Sequence, residues 1–347
     1  MPGHLRQLCF ATLSNAGMTG DFKCIVTPFP ITDGYILDHT AAVVMGRPRF
    51  PDWVERYGRV KKRHGFRIIV DFDDVLFDVD GKSIIPGYNG FKGDPVAIAT
   101  GMEGYLKYVD EVTVSTKFLA QLFAKRFPAF STYNIVIVPN LLPRMYYGDR
   151  SSRLTTVDIR KPKVVYGGSP THFSEDDPGD FAGPWLPYLV DAVGKGEIEL
   201  HMFAYGLPKI FAGMGDKVIL HDPVTPAGWG RALSDVKGDI YLAPLAANDF
   251  NRAKSDLKIL EAAATGMALL GSQFKGGPYS HAHPYSLVDN SMTVEGVMDT
   301  VARICEKKSF NAILGYQQKY LGTRWLERDE NLKRLMQIYC KGMVKVG

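Results

Sequence analysis

Short runs of β-branched and aliphatic residues alternate along this chain with longer stretches whose apolar residues recur every three or four positions. That alternation is the pattern of parallel α/β folds. In the first half, Cys24–Thr27, Ala42–Met45, Arg67–Asp71, Glu111–Ser115 and Asn134–Val138 read as strands, with helices over about Pro51–His64 and Thr116–Arg126. The rhythm breaks between Leu141 and Lys163, where Pro, Gly, Ser, Arg and Asp predominate, and this stretch reads as a linker. Beyond it, strands are expected at Lys163–Tyr166, Glu199–Phe203, Lys217–Leu220, Asp239–Leu242 and Ala268–Gly271, and helices at Trp185–Lys195, Ser255–Thr265 and Val294–Lys307. A last amphipathic helix is expected within Thr323–Met343, on the spacing of Trp325, Leu326, Leu332, Leu335, Met336 and Tyr339. The expected organisation is two α/β domains, 1–150 and 151–322, followed by a helical segment, 323–347. Two such domains leave a cleft, a favoured place for a small-molecule site.

Composition narrows the classes. The 347 residues are 46% hydrophobic and 22% charged, which excludes global disorder and fits about two domains. No run approaches 18 apolar residues, and Met1–Cys24 lacks the apolar core of a signal peptide, so a cytoplasmic protein without a transmembrane segment is expected. Cys9, Cys24, Cys305 and Cys340 are far apart and read as buried free thiols rather than a zinc site or disulfide framework. The net charge of +4 is uneven. Between Arg47 and Arg67 eight basic residues face only Asp52 and Glu55, a segment charge of +6 that leaves the rest at −2. Arg47, Arg49, Lys61, Lys62 and Arg63 are therefore candidate contacts for an anionic partner; the plainer alternative is a solvated helix face.

Three segments carry candidate chemistry. In Asp239–Ser272, a buried strand delivers the chain to a polar loop, Asn248–Lys254, and then to a helix capped at or near Ser255. Free N–H groups at such a helix start suit a phosphate. Lys258 and Glu261 lie three residues apart on one face, offering charge for a diphosphate and a carboxylate for sugar or ribose hydroxyls. An ordinary surface Lys–Glu pair is the alternative. Gly266 is placed to end the helix. After the first strand of the second half, Gly167 and Gly168 permit close backbone approach, and Ser169 and Thr171 can donate to phosphate. His172 is open to two roles, phosphate contact or local capping. Finally, Asp71, Asp73, Asp74 and Asp78 crowd the end of the strand Ile68–Val70, where they would repel unless a cation or ligand hydroxyls offset them.

Asp239–Ser272 resembles the donor-binding motif of GT-B glycosyltransferases, in particular the group-1/family-4-like retaining enzymes. Val70–Asp78, Asp110–Leu119, Val138–Pro143 and Val164–Phe173 agree in order, so the resemblance covers about residues 65–340. It implies two Rossmann-like domains facing a cleft, the first for the acceptor and the second for a nucleotide-diphosphate sugar, with the C-terminal helix crossing back to the first. It implies no required cofactor or metal and points first to a UDP-sugar as co-substrate. By the same resemblance Gly167, Gly168, Ser169, Thr171 and His172 face the donor diphosphate, Glu261 holds ribose, and Asp71, Asp73 or Asp74 align the acceptor hydroxyl as the catalytic group. One departure stands out: the family's E-x7-E would begin at Ala253, which has no carboxylate. Asn251, Lys254, Ser255 or Asp256 are the candidates to substitute.

The basic segment, interleaved with Trp53, Tyr57 and Phe66, makes DNA a candidate acceptor through a hydroxymethylated pyrimidine, as in some bacteriophage enzymes, whose location would be the host cytoplasm. Lipid-linked or surface glycans, met by peripheral contact with an anionic membrane, are the alternative. Val70–Asp78 also resembles motif I of haloacid-dehalogenase-type phosphohydrolases, with Asp71 as nucleophile, Asp73 as acid/base and Val112–Ser115 posing as the second motif; that reading requires Mg²⁺ and leaves Asp239–Ser272 unexplained. An inactive GT-B-like binding protein rests on Ala253 alone.

Overall fold

A computed structural model describes residues 8–12, 25, 27, 30–48, 51–89, 93–130, 135–147, 154–168, 172–203 and 208–339. Arg49, Ser169, Thr171, Cys24 and Cys340 lie outside the described residues, as does half of the strand expected at Cys24–Thr27; its described residues, Ile25 and Thr27, are in irregular chain.

Among the described residues the strands form two parallel sheets. The first has the order β1-β2-β3-β4, from Ala42–Gly46, Arg67–Phe72, Glu111–Val114 and Ile135–Ile137. The second has the order β10-β9-β8-β5-β6-β7, from Lys163–Tyr166 (β5), Glu199–Phe203 (β6), Val218–His221 (β7), Ile240–Ala243 (β8), Ala268–Gln273 (β9) and Leu287–Asp289 (β10). Parallel neighbours need crossovers, and helices supply most of them. α3 (Pro51–His64) joins β1 to β2, α4 (Pro95–Leu106) joins β2 to β3, and α5 (Lys117–Arg126) joins β3 to β4. In the second sheet α7 (Trp185–Lys195) joins β5 to β6, α8 (Trp229–Val236) precedes β8, and α10 (Leu257–Thr265) joins β8 to β9. Shorter helical turns are α1 (8–12), α2 (Gly34–Asp38), α6 (Arg144–Tyr147) and α9 (Asp249–Arg252).

Burial explains why these segments are strands. β2, β5 and β8 are covered on both faces and read as nearly continuous apolar runs; β3 is equally buried but alternates, because Glu111 is paired with Arg67 and Thr113 with Asp71. A nest of Phe72, Phe77, Phe123, Phe127 and Phe130 fills the first core. Phe181, Trp185, Phe211 and Leu270 stand in the core behind the second sheet.

Three expectations need correction. The presumed linker contains α6, and Leu142 within it exchanges backbone bonds with the C-terminal region: its N–H donates to Arg324 at 3.0 Å, and its carbonyl accepts from Leu326 at 2.9 Å. The helix expected over Val294–Lys307 ends at Cys305 (α11); after Glu306 a further helix, α12, runs over Lys307–Gly322 and buries Phe310, Ile313, Leu314 and Leu321. The last helix, α13, spans Asp329–Tyr339, because Thr323–Arg328 turn rather than coil.

α13 does cross back to the first sheet. Arg334 donates to the Ile137 carbonyl at 2.8 Å, and Arg67 donates to the Ile338 carbonyl at 3.2 Å. The halves also meet along the cleft floor, where Thr116 Oγ1 donates to the Ala253 carbonyl at 2.9 Å and Asn140 Nδ2 to Ser255 Oγ at 2.7 Å. Phe250 and Ala253, from the second half, are buried in the core cluster of the first. Among the described residues no helix is long and apolar enough to cross a membrane.

Candidate functional site

Adjacent strands β5 and β8 send their chains outward to opposite sides of the second sheet. Such a switch point leaves a crevice beyond the carboxyl ends of the strands, where open α/β sheets take ligands. Gly167 and Gly168 leave β5 at this point, and the chain after β8 passes through α9 into α10. Both glycines are sterically required, though by the protein's own rings: a Cβ at Gly167 would stand 2.6 Å from Trp229, and one at Gly168 would collide with Tyr166.

The Lys258–Glu261 pair is far from an ordinary surface pair. Glu261 is only 1% exposed, and its carboxylate accepts from Tyr147 Oη (3.2 Å), Trp229 Nε1 (2.8 Å), Tyr241 Oη (2.9 Å) and Lys258 Nζ (3.0 Å). Burial and this carboxylate hold the Tyr147 and Tyr241 hydroxyls well above the usual tyrosine range, so both stay protonated as donors. Lys258 also donates to the Gly167 carbonyl and to Tyr241 Oη, which commits its three N–H bonds. The pair thereby ties the loop after β5 to α10.

α10 begins at Leu257, two residues later than expected, with Asp256 as its cap residue and no side chain bonded to the helix-start amides. The expected cap, Ser255, receives Asn140 instead. The Asp256 carboxylate turns away to Arg324, at 2.6 and 2.7 Å, and to Tyr320 Oη. The uncapped start leaves backbone donors for an anion. Gly266 ends α10 in the left-handed conformation, φ 72°, as expected.

Beside that helix start lies a charged group that the sequence only partly disclosed. Lys254 Nζ is 3.7 Å from Asp180 Oδ2 and 3.5 Å from His172 Nδ1, and it lies over the Phe250 ring. Burial lowers its pKa, against the attraction of Asp180 and Asp74. His172 Nδ1 is 2.7 Å from Asp180 Oδ2. Burial, with the Lys254 ammonium, brings the imidazole down to about 4 despite Asp180. Burial alone would raise Asp180, but His172 and Lys254 outweigh it and hold the carboxyl at about 2. Asn251, fully buried, donates to Asp180 Oδ1 at 2.6 Å and to the Ala246 carbonyl at 2.9 Å. Asp180 carried no motif, and its partners lie 8 to 74 positions away, so no local spacing marks it.

Across the cleft, the aspartates at the end of β2 and just beyond it have separate fates. Asp71 is buried and accepts from Thr113 Oγ1 at 2.5 Å. Asp73 is buried against the Arg47 guanidinium. Asp78 accepts from Arg126 Nε at 2.8 Å. Asp74 alone of the first three keeps a quarter-exposed side chain, 3.9 Å from Arg47; burial raises its pKa, opposed by Arg47 and Lys254. The cluster is thus offset by an arginine of its own domain. Arg47 takes φ 45°, held there by its N–H to the Asp71 carbonyl (2.8 Å) and by its contact with Asp73. Among the described residues no three His, Cys, Asp or Glu side chains converge as a metal site.

The basic residues do not form one patch. Arg47 sits at the carboxyl edge of the first sheet, whereas Lys61, Lys62 and Arg63 are in the last turn of α3, at the amino edge. They are separated by about the 15–20 Å length of that helix. Lys61 is tied to Asp110 and to the Tyr108 carbonyl, both at 2.8 Å; Lys62 and Arg63 are exposed.

Two expected outcomes follow from this geometry. Glu261→Ala removes the shared acceptor of four donors and should destabilise the protein by on the order of 3–5 kcal/mol in urea titrations; a loss of unfolding free energy below about 0.5 kcal/mol would contradict the buried network. For pH, His172 binds its proton near 4 when folded and near 6.5 when unfolded, and Asp180 near 2 against about 3.9. The unfolded chain therefore holds more protons throughout this range, and stability is complete above pH 6.5 and falls as pH drops toward 4 and then 2. In thermal melts, His172→Phe should flatten the decline between pH 6.5 and 4, and an unaltered slope would refute the assignment.

No family model and no curated protein matches the sequence. Solved structures do match. TarM superposes with a TM-score of 0.56 at 12% identity, covering 88% of this chain and 57% of that one, so the chain spans little more than half the length of TarM. A glycosyltransferase from Rickettsia africae gives 0.52 at 12% identity, with 99% and 96% covered. HepE from Anabaena, solved with UDP, gives 0.53 at 11% identity, with 89% and 81% covered. With two parallel sheets facing a cleft and a terminal helix returning to the first, the chain has the GT-B fold that these structures share.

Proposed function

We propose that this chain transfers a sugar from a nucleotide-diphosphate sugar, a UDP-sugar in the first instance, to an acceptor hydroxyl. The observation that carries the proposal is the uncapped start of α10 with the weakly engaged Lys254 ammonium just before it, at the switch point of the second sheet. Backbone N–H groups and one half-buried cation suit the charge that grows on a departing diphosphate. The neighbour HepE, solved with UDP, supports a UDP-sugar as donor.

The residues divide the work. Lys254 and the α10 amides take the diphosphate. Lys258 holds the Gly167 loop in place and reaches phosphate only by exchanging one of its three bonds. Glu261, set by the resemblance on the ribose, meets it only if one of its four donors gives way. Asp74 is the carboxylate open to an acceptor hydroxyl, and burial, opposed by Arg47 and Lys254, raises its pKa and so strengthens it as a proton acceptor. Asp71 and Asp73 hold the strand end and Arg47. The retaining stereochemistry and independence from metal rest on the family resemblance.

For the acceptor we carry DNA bearing a hydroxymethylated pyrimidine. Its phosphates would meet exposed Lys62 and Arg63, which requires the polymer to run the length of α3 from Asp74.

Calorimetry in EDTA should give UDP-glucose binding that Lys254→Met weakens 10- to 100-fold, the loss of one charge-assisted bond; equal affinity would remove Lys254 from the site. Lys62→Glu with Arg63→Glu should weaken DNA binding at 50 mM salt and reduce its salt slope by about 2, while UDP-glucose hydrolysis is unchanged. If DNA binding does not change, DNA is not held by this face.

A further inference from the structure

Asp180 stands on the turn Gly179–Phe181, 1% exposed, and gathers donors from three separate segments. Oδ1 accepts from the Ala246 N–H (2.9 Å) after β8 and from Asn251 Nδ2 (2.6 Å) in α9. Oδ2 accepts from His172 Nδ1 (2.7 Å) in the loop after β5 and faces Lys254 Nζ at 3.7 Å. An ionised carboxylate only accepts, so the proton of the neutral imidazole lies on Nδ1 and the lone pair on Nε2. Among the described residues His172 makes its hydrogen-bond contacts through Nδ1 and none through Nε2. A lone pair repels a phosphate oxygen, so this nitrogen suits a hydroxyl or an N–H, whereas the ammonium beside it suits the phosphate.

Building on the donor reading above, we infer that Asp180 is the positioning residue of the crevice. By fixing the His172 tautomer and drawing in Lys254, it sets a hydroxyl acceptor next to a phosphate donor, so that the crevice takes a hydroxyl-bearing nucleotide diphosphate in preference to a bare diphosphate. The charges that bear on His172 are Asp180, Lys254 and Lys258; His172 and Lys254 bear on Asp180, which in turn raises the Tyr166 and Tyr279 hydroxyls. Without Asp180 the imidazole is free to turn or to change tautomer, and the ammonium loses its nearest carboxylate.

The test combines ¹⁵N-histidine spectra of the full chain with calorimetry using UDP-glucose, UDP and inorganic pyrophosphate. At pH 6–8 wild-type His172 should be neutral with Nδ1 protonated, and Asp180→Asn should abolish that single tautomer. Asp180→Asn should weaken all three ligands at least tenfold. His172→Phe, which leaves the other partners of Asp180 in place, should weaken UDP-glucose tenfold and pyrophosphate less than twofold. In the double variant, UDP-glucose affinity should fall no further than in Asp180→Asn. An unchanged tautomer in Asp180→Asn, or equal losses for UDP-glucose and pyrophosphate in His172→Phe, overturns the inference and leaves the donor site standing. A wild-type chain that binds none of the three overturns the donor reading and the inference with it.

Discussion

Everything in the candidate site depends on the hold of Lys258 on the Gly167 carbonyl, because it closes the gap that the sheet topology opens. Where β5 and β8 part, two chain segments leave the sheet in opposite directions, and nothing in the strand pairing fixes one against the other. Lys258 does so, and Glu261 fixes Lys258 with help from Tyr147, Tyr241 and Trp229. A carboxylate so deeply buried is tolerable only because its lone pairs are met. Tyr147 comes from the stretch between the halves, so the same carboxylate also anchors the approach to the second domain.

Charge compensation then sorts the functional from the structural groups. On the first sheet, Arg47 offsets Asp73, and Thr113 caps Asp71, leaving Asp74 as the carboxylate open to the cleft. On the second, Lys258 is fully committed and Asp256 is locked to Arg324, whereas Lys254 keeps only longer contacts. A ligand gains most where a charge is desolvated and incompletely paired, since little must be broken to bind it. That condition is met by Lys254 on one side and Asp74 on the other, and each influences the other's protonation.

Legibility from the sequence followed the range of the interactions. β5, β6 and α7 appear with the expected ends, because continuous apolar strands and an amphipathic helix closed by Gly196 are local signals. The donor-side order of strand, polar loop and helix was legible for the same reason. The helix start was misplaced by two residues because Asn140, 115 positions away, takes the Ser255 hydroxyl. α12 was missed since it follows α11 after a single extended residue, Glu306. The basic segment Arg47–Arg67 looks like one patch along the chain, but Asp110, 49 positions from Lys61, neutralises part of it. Asp180 was invisible because its importance arises only when β5, β8 and α9 are brought together.

The start of α10, beside Lys254, is the proposed seat of the diphosphate of a nucleotide sugar. A crystal structure of the chain with UDP tests it most directly. The β-phosphate oxygens are expected within hydrogen-bond distance of the Leu257 or Lys258 backbone N–H and of Lys254 Nζ, with His172 Nε2 turned to a hydroxyl or ring N–H of the nucleotide. UDP seated away from the β5–β8 switch point, or a diphosphate paired with α3 instead, would contradict it.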